Sequence, residues 1–433
     1  AIDDDALEFA APGVFKAPVT LSRARALIGA HPGVDGWTLE LVDAELAGKD
    51  FSARIDASLQ PDALSGPLLQ FSAQVPEASI VAAKDFWVLN KMPPRTVAWL
   101  DRALSAGRVI DGNVVYRGHP RQWPFREHEG RLEARFAVEG ASLDYHEDWP
   151  RAENLSAQVA FINSSIQIER ATGRLAGARV VGGRGTVASL KDPVLELDLA
   201  GEGDGSKWLE FLEATPLRRK HAEVLFGMAL SGAVDVNARI HLPLRKDLGV
   251  SSVVGEALLK GAHFTDAKWD LNFEQVHGRL DFSESGFSAD QLRLQMAGEN
   301  AELALAVGAF TSDPERQVEA RLQGRASAQA LFGQYDQLAA ILAQVKGVSD
   351  WKVAVDVPKT ADGVTPASVI RYSTNLAGTS IGFPAPLAKD AESLRQLELT
   401  ELEETRAQLE VERAKVTLAA ARCLLYTSDA ADE

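Results

Sequence analysis

Eight histidines, His31, His119, His128, His146, His221, His241, His263 and His277, are the residues best suited to metal or acid–base chemistry. Two of them stand among carboxylates, in REHEG (Arg126 to Gly130) and YHEDW (Tyr145 to Trp149). A zinc protease presents two histidines one helical turn apart with a further ligand, and neither stretch has that spacing. Both are predicted to be solvated turns. GARVVGGRGTV (Gly177 to Val187) is rich in glycine but has no Gly-Lys-Ser/Thr and no strand-to-helix setting, so it predicts a hairpin turn and not a phosphate cradle. GDGS (Gly203 to Ser206) lacks the remaining ligands of a calcium loop and predicts a helix start with Ser206 as N-cap. No catalytic residue, metal site or cofactor follows from these stretches. The reading is of a non-enzymatic protein.

Composition narrows the rest. The chain has 433 residues, 46% hydrophobic and 24% charged, with a formal net charge of −16. That balance argues against nucleic acid as a partner, which calls for a basic patch, and against electrostatic docking on anionic lipid. No apolar run is long enough to span a bilayer as a helix. With no initiating Met and no signal peptide, the chain is expected to be an internal fragment. Its last eleven residues, CLLYTSDAADE (Cys423 to Glu433), resemble a translated sequencing adaptor. On that reading the sole cysteine is foreign and the natural part offers no disulfide or thiol chemistry. Residues 423–433 are then expected to be disordered and dispensable.

What must carry function is therefore the elements themselves. Apolar and polar residues alternate with period two almost end to end, the mark of half-buried strands. The turns are expected at Glu139-Gly140, Asn163-Ser164, Thr172-Gly173, Gly182-Gly183, Glu284 to Gly286 and Gly298 to Asn300. Short connections of this kind join antiparallel neighbours, so the text predicts a meander of about two dozen strands of 5–7 residues each. Helices are expected at 94–106, 216–231 and 328–346, each ending before a glycine (Gly107, Gly232, Gly347), with Leu100, Leu225 and Leu342 buried on the sheet. The even spacing of these glycines predicts an internal repeat of roughly 120 residues. Residues 397–422 are ambiguous between helix and strand, with helix slightly favoured. Open sheets beyond ~10 strands usually curl, split or flatten, and three short helices cannot cover so much apolar face. Either the sheet folds on itself as a sandwich, or a groove is filled by its contents.

The stretch Pro93 to Gly177 resembles the central region of YhdP-type proteins of the AsmA-like superfamily. The likeness rests on the Trp99-Leu100 helix before Gly107, Tyr116-Arg117-Gly118, the Trp123-Pro124-Phe125 turn, Tyr145 before Trp149-Pro150, and the glycines Gly173 and Gly177. Asn375 to Leu399 resembles the same family's glycine, strand, Pro-x-Pro-Leu-x-Lys segment. The resemblance implies a mainly β fold, a long curled antiparallel meander sheet forming an elongated hydrophobic groove with a few helical insertions, over residues 1–422.

It also implies a function. Proteins of this kind are bridge-like lipid carriers of the Gram-negative envelope, held in the inner membrane by an N-terminal anchor and reaching through the periplasm. The chain would lack that anchor and the C-terminal part that contacts the outer membrane. The partner is expected to be phospholipid acyl chains. The alternating apolar positions then become groove lining: Phe136, Val138, Leu143, Val159, Phe161, Ile166, Ile168, Leu195, Leu197, Leu199, Val234, Val236, Ile240, Leu271, Phe273, Leu292, Leu294, Leu303, Leu305, Val353 and Val355. The alternative is a scaffold for outer-membrane assembly, as in the TamB-like relatives. An enzyme or carbohydrate-binding sandwich is the third reading.

Overall fold

Residue alternation, short turns and β-branched side chains fold this chain into hairpin after hairpin. The structure is a computed structural model and describes residues 7–125, 127, 129–215, 227–267, 269–360 and 367–403. The protein is mainly β, 61% strand and 11% helix, and its main sheet is a single 19-stranded antiparallel sheet that does not close into a barrel. The expected meander is what forms. The chain divides into two units, Ala1–Phe226 with Val234–Gly255, and Gly227–Ala233 with Glu256–Glu433.

In the first unit ten strands pair in chain order. They are Arg23–Gly33, Gly36–Gly48, Phe51–Gln60, Leu68–Ser79, Leu104–Gly118, Arg131–Leu143, Ala152–Ile162, Ser165–Leu175, Ala178–Val187 and Val194–Asp204. In the second unit the order runs through Leu271–Ser283, Gly286–Met296, Glu299–Gly308, Arg316–Ala326, Ser349–Pro358, Ser368–Thr374 and Leu397–Glu403. The strand at 397–403 corrects the helix favoured there, because it pairs residue by residue with Ser368–Thr374. Residues 404–433, with the adaptor-like tail, lie outside the described residues.

The strands are longer than the alternation predicts, 10 residues at Phe51–Gln60 and 16 at Met228–Pro243. Three of the expected turns are interruptions inside strands. Gly140 (φ +60°) lies within Arg131–Leu143, Gly173 within Ser165–Leu175, and Gly182-Gly183 within Ala178–Val187. The register shifts between Val138 and Ala141 and between Glu169 and Thr172, with Arg170 left-handed at φ +53°. These are β-bulges, which insert one extra residue and sharpen the twist. Further shifts flank Asp43 and Asp111, both left-handed, in Gly36–Gly48 and Leu104–Gly118. Each bulge also reverses the alternation. Leu132, Ala134, Phe136 and Val138 share a face with Ala141 and Leu143 only because Gly140 intervenes.

Glycines 183 and 185 answer to a different demand. They pair with Leu199 and Leu197, and a Cβ at either would meet those leucine methyls at 2.9 and 3.1 Å. Their missing side chains make room for bulky cross-strand partners. True turns form as expected at Asn163-Ser164 and Glu284-Ser285, while the turn expected at Gly298 to Asn300 falls at Ala297-Gly298, with Glu299 and Asn300 already in the next strand.

The helices differ from expectation in extent. The first is Pro94–Ala103, and Gly107 (φ +115°) lies inside the next strand, where a Cβ would sit 2.6 Å from the Cα of Ala141. Leu100 is half-buried. For the second, residues 216–226, including Leu225, lie outside the described residues, while 228–231 are strand and not helix. The helix nearby is Gly205–Glu213, capped by Asp204 and not by Ser206: the Asp204 carboxylate accepts the Ser206 amide at 2.9 Å. The third breaks into Ala328–Phe332 and Ala339–Leu342, and Leu342 is buried. Helix ends are set by side-chain caps at Ser79, Asp204 and Ser327, each at the end of a strand. Six strands separate the two insertions of the first unit. In an antiparallel meander an even number returns the chain to the same edge, so both insertions leave from one rim.

Candidate functional site

Cross-strand register lines the apolar side chains into rows. One row crosses nine strands of the first unit: Ala44, Ile55, Ala73, Val114, Ala134, Phe161, Ile166, Val187, Leu195. Beside it Phe136, Val159, Ile168, Gly185 and Leu197 make a second. Phe136 and Phe161 stack at 6.1 Å between ring centroids, and neither is buried. Val138 and Leu199 continue the same face, and Leu143 pairs with Ala152 at the strand ends. Of the remaining expected positions, Val234 is buried, Val236 and Ile240 are half-buried, and Leu271 is half-buried. Phe273 is buried and stacks on Phe264 at 6.0 Å. In the second unit Leu292, Leu303, Leu322, Val353, Tyr372 and Leu399 form one row, and Ala289, Leu305, Ala320, Val355, Ile370 and Glu401 the next. Leu294 is buried one row away, paired with Ala301.

The opposite face is charged. Arg108 bridges Glu77 and Glu139, and Arg131 and Arg135 both bind Glu133, whose carboxyl they hold below the usual range. Asp198 takes Arg184 and Arg239. Asp356 is nearly enclosed by Arg316, Arg321 and Arg371, with the shortest contact 2.7 Å from Arg371. Exposed ion pairs of this kind add about 0–1 kcal/mol each, so their larger effect is on which residue stands opposite which.

The first three strands carry the most open apolar surface, and the expectations did not include it. Ile28 is 80% exposed, Trp37 63%, Leu39 48% and Leu59 37%. Ile28 pairs with Leu41, and Leu39 with Leu59, so these are inner-face residues and not stray surface ones. The signal was present in GWTLELVDAELAG, where Trp37, Leu39 and Leu41 alternate with Thr38 and Glu40.

The histidines engage locally. His119 Nδ1 lies 2.9 Å from the Gly66 carbonyl, His241 Nδ1 2.6 Å from Glu196, and His263 Nε2 2.7 Å from Asn272. In YHEDW, His146 accepts the Asp148 amide in a turn, while Arg126 and His128 of REHEG lie outside the described residues. One formal nucleophile-elbow match, Gly378-Thr379-Ser380-Ile381-Gly382, is absent from the expectations above. It has no strand-to-helix turn, and Ser380 donates to the Lys346 carbonyl at 3.4 Å. Among the described residues no helix is long and apolar enough to cross a membrane.

The two family-like stretches turn out to be packing devices. Phe125, 1% exposed, sits against Gly118 and Gly130, and its ring meets those of Tyr116 and Trp123 at 5.5 and 5.7 Å. Lys389, 5% exposed, donates to the carbonyls of Leu376 and Thr379, both at 2.7 Å, and of Asp390 at 3.0 Å. Burial, with Arg395 nearby, lowers its pKa from the usual lysine range.

A curated relative, the "Intermembrane phospholipid transporter YhdP" of Escherichia coli (strain K12), is 25% identical over 382 residues, 87% of this chain and 29% of the relative. The chain thus spans less than a third of the length of that protein. No solved structure matches. The family model described as "YhdP protein" matches residues 1–422, and the chain belongs to the YhdP family.

Proposed function

We propose that the chain is a segment of an envelope protein that moves phospholipid between membranes along the apolar face of its sheet. The observation that carries the reading is the open inner face of Arg23–Gly33, Gly36–Gly48 and Phe51–Gln60, where large apolar side chains stand in cross-strand rows and stay exposed. A closed core buries such residues, and a contiguous exposed apolar face marks a binding surface. Half-exposed rows across the later strands of the first unit, with ion pairs on the other face, extend the same pattern. Acyl chains are the natural covering layer, with headgroups left in water. The related transporter supports lipid as cargo. In the full-length protein an N-terminal membrane anchor and a C-terminal contact with the outer membrane would complete the path, and the chain contributes no catalytic group.

The test uses charge. Leu39 is half exposed, so an aspartate there can reach water at small folding cost. Leu39→Asp in the full-length protein is expected to leave the melting temperature within a few degrees, about 1 kcal/mol, and to abolish lipid transfer. Gln158→Lys, on the outer face, should do neither. Full transfer by a folded Leu39→Asp protein would reject the track and leave the scaffold reading.

A further inference from the structure

In the second unit the apolar face is not open, and what covers it is the chain's own insertion between Arg316–Ala326 and Ser349–Pro358. Phe332 and Leu342, from its two short helices, are buried in one cluster with Trp351, Ile370, Tyr372 and Leu376. Phe332 meets the rings of Tyr372 at 4.9 Å and Trp351 at 5.7 Å. Val353 and Val355, counted by sequence among the groove positions, pack beneath this cluster together with Leu397 and Leu399.

The insertion also makes a polar contact that an ordinary core would avoid. Glu401 follows Leu397 and Leu399 on the inner face, opposite Ile370, where the alternation calls for an apolar residue. Its Oε1 accepts the Tyr335 hydroxyl at 2.8 Å, and its Oε2 the Tyr372 hydroxyl at 3.4 Å. Tyr335 belongs to the insertion, and Tyr372 and Glu401 to the sheet. The insertion's helices are five and four residues long, too short to persist without the face they sit on. Its exit strand, Val345–Gly347, is paired with Thr379–Ile381 in a separate two-stranded sheet, and Lys389 fixes the backbone at Leu376 and Thr379. One end of the insertion is therefore anchored, while its middle is held by apolar contact and by the Tyr335 hydroxyl, which meets the Glu401 carboxylate and the Tyr372 hydroxyl.

We propose that residues 327–344 are a lid, closed over the apolar face of the second unit and latched by Tyr335 on Glu401, which lifts to let acyl chains pass. Lifting exposes Val353, Val355 and Leu399 as an apolar face of the kind that is open in the first unit. The carboxylate stays hydrogen-bonded through Tyr372 and reaches water, so the open state costs less than exposing a wholly apolar core would. The proposal rests on the lipid-track reading, and the experiment separates the two.

A photo-crosslinking phenylalanine analogue is placed in the full-length protein at Leu39 or at Val355. The protein is exposed to vesicles of phosphatidylethanolamine and phosphatidylglycerol and illuminated. Leu39 is expected to label lipid strongly and Val355 weakly. Tyr335→Phe, which loses the latch, should raise labelling at Val355 about fivefold, as the loss of one hydrogen bond allows. Glu401→Gln, which keeps an acceptor but loses its charge, should raise it less, and both should leave Leu39 unchanged. Hydrogen exchange over 328–342 should quicken in the same variants. Strong labelling at Val355 in the unaltered protein, or no change in either variant, overturns the lid while Leu39 still upholds the track. Absence of lipid at every position overturns the track and the lid with it.

Discussion

Gly130 shows how closely single residues are fitted here. A Cβ at that position would lie 2.5 Å from the Phe125 ring and 2.8 Å from the Arg117 carbonyl. Gly130→Ala is therefore expected to cost about 1–3 kcal/mol through overpacking, read by chemical denaturation. Phe125→Leu in the same chain should relieve part of the loss, a coupling that a double-mutant cycle measures. Asp356 gives a pH dependence. Burial alone would raise its pKa, but the hydrogen bond from Arg371 and the charges of Arg321 and Arg316 outweigh it and hold the carboxyl low. A carboxyl depressed in the folded state adds stability that is complete above its unfolded value, near ~3.9, and is lost as pH falls through the folded value. Asp356→Asn should remove about 1–2 kcal/mol at neutral pH, discounted because the arginines are partly solvated. The variant should also show a flatter stability profile below about pH 4.5. None of these fits was legible in the sequence. Phe125 folds back on Gly130 within one loop, and an aspartate among three arginines is assembled by strand register, neither of which a linear reading contains.

At the scale of the element, strand identity was legible and strand length was not. Alternation marks each half of a strand, but a bulge inverts its phase, so one long strand reads as two short ones with a turn between them. Glu139-Gly140 and Thr172-Gly173 were misread for this reason. Gly182-Gly183 was misread because glycine also serves where a neighbour's side chain needs space. Helix positions suffered similarly: Gly107 and Gly347 do close the insertions, but from inside the following strand, at φ +115° and +109°. Gly140 allows a clean test, because a Cβ there meets nothing within 4 Å. Gly140→Ala should cost about 1 kcal/mol, the conformational penalty of a left-handed residue, and Gly140→Asn less. Deleting Gly140 should cost far more, since Ala141 and Leu143 would exchange faces. Thermal melts of the three variants would rank them.

For the whole molecule, alternation and the family resemblance indicated the class correctly: a mainly β chain of the YhdP family. The open face of the first strands and the covered face of the last were not separable in advance, because both are written with the same alternation. Only exposure tells them apart. The net charge of −16 has a kinetic consequence. An acidic chain and an anionic bilayer repel each other, and that repulsion, screened over ~10 Å at 0.1 M salt, bears on the proposed transport. Uptake of phosphatidylglycerol from vesicles should therefore quicken as salt rises from low to physiological strength, and uptake of a zwitterionic lipid should hardly respond. Fluorescent-lipid transfer at two ionic strengths measures both. A carrier recruited by charge would slow in salt instead.

The bulges at Asp43, Asp111, Gly140 and Arg170 have a consequence for how this protein tolerates change. A saturation scan along any of these strands should trace a wave with two-residue wavelength, intolerant of charge at every second position. At the bulge the wave should skip a beat and resume in antiphase, even positions sensitive before it and odd positions after, or the reverse. Sequences drifting apart in this family can thus preserve the same inner surface while losing any fixed rule about which positions are apolar, so long as the extra residue moves with the rule it resets.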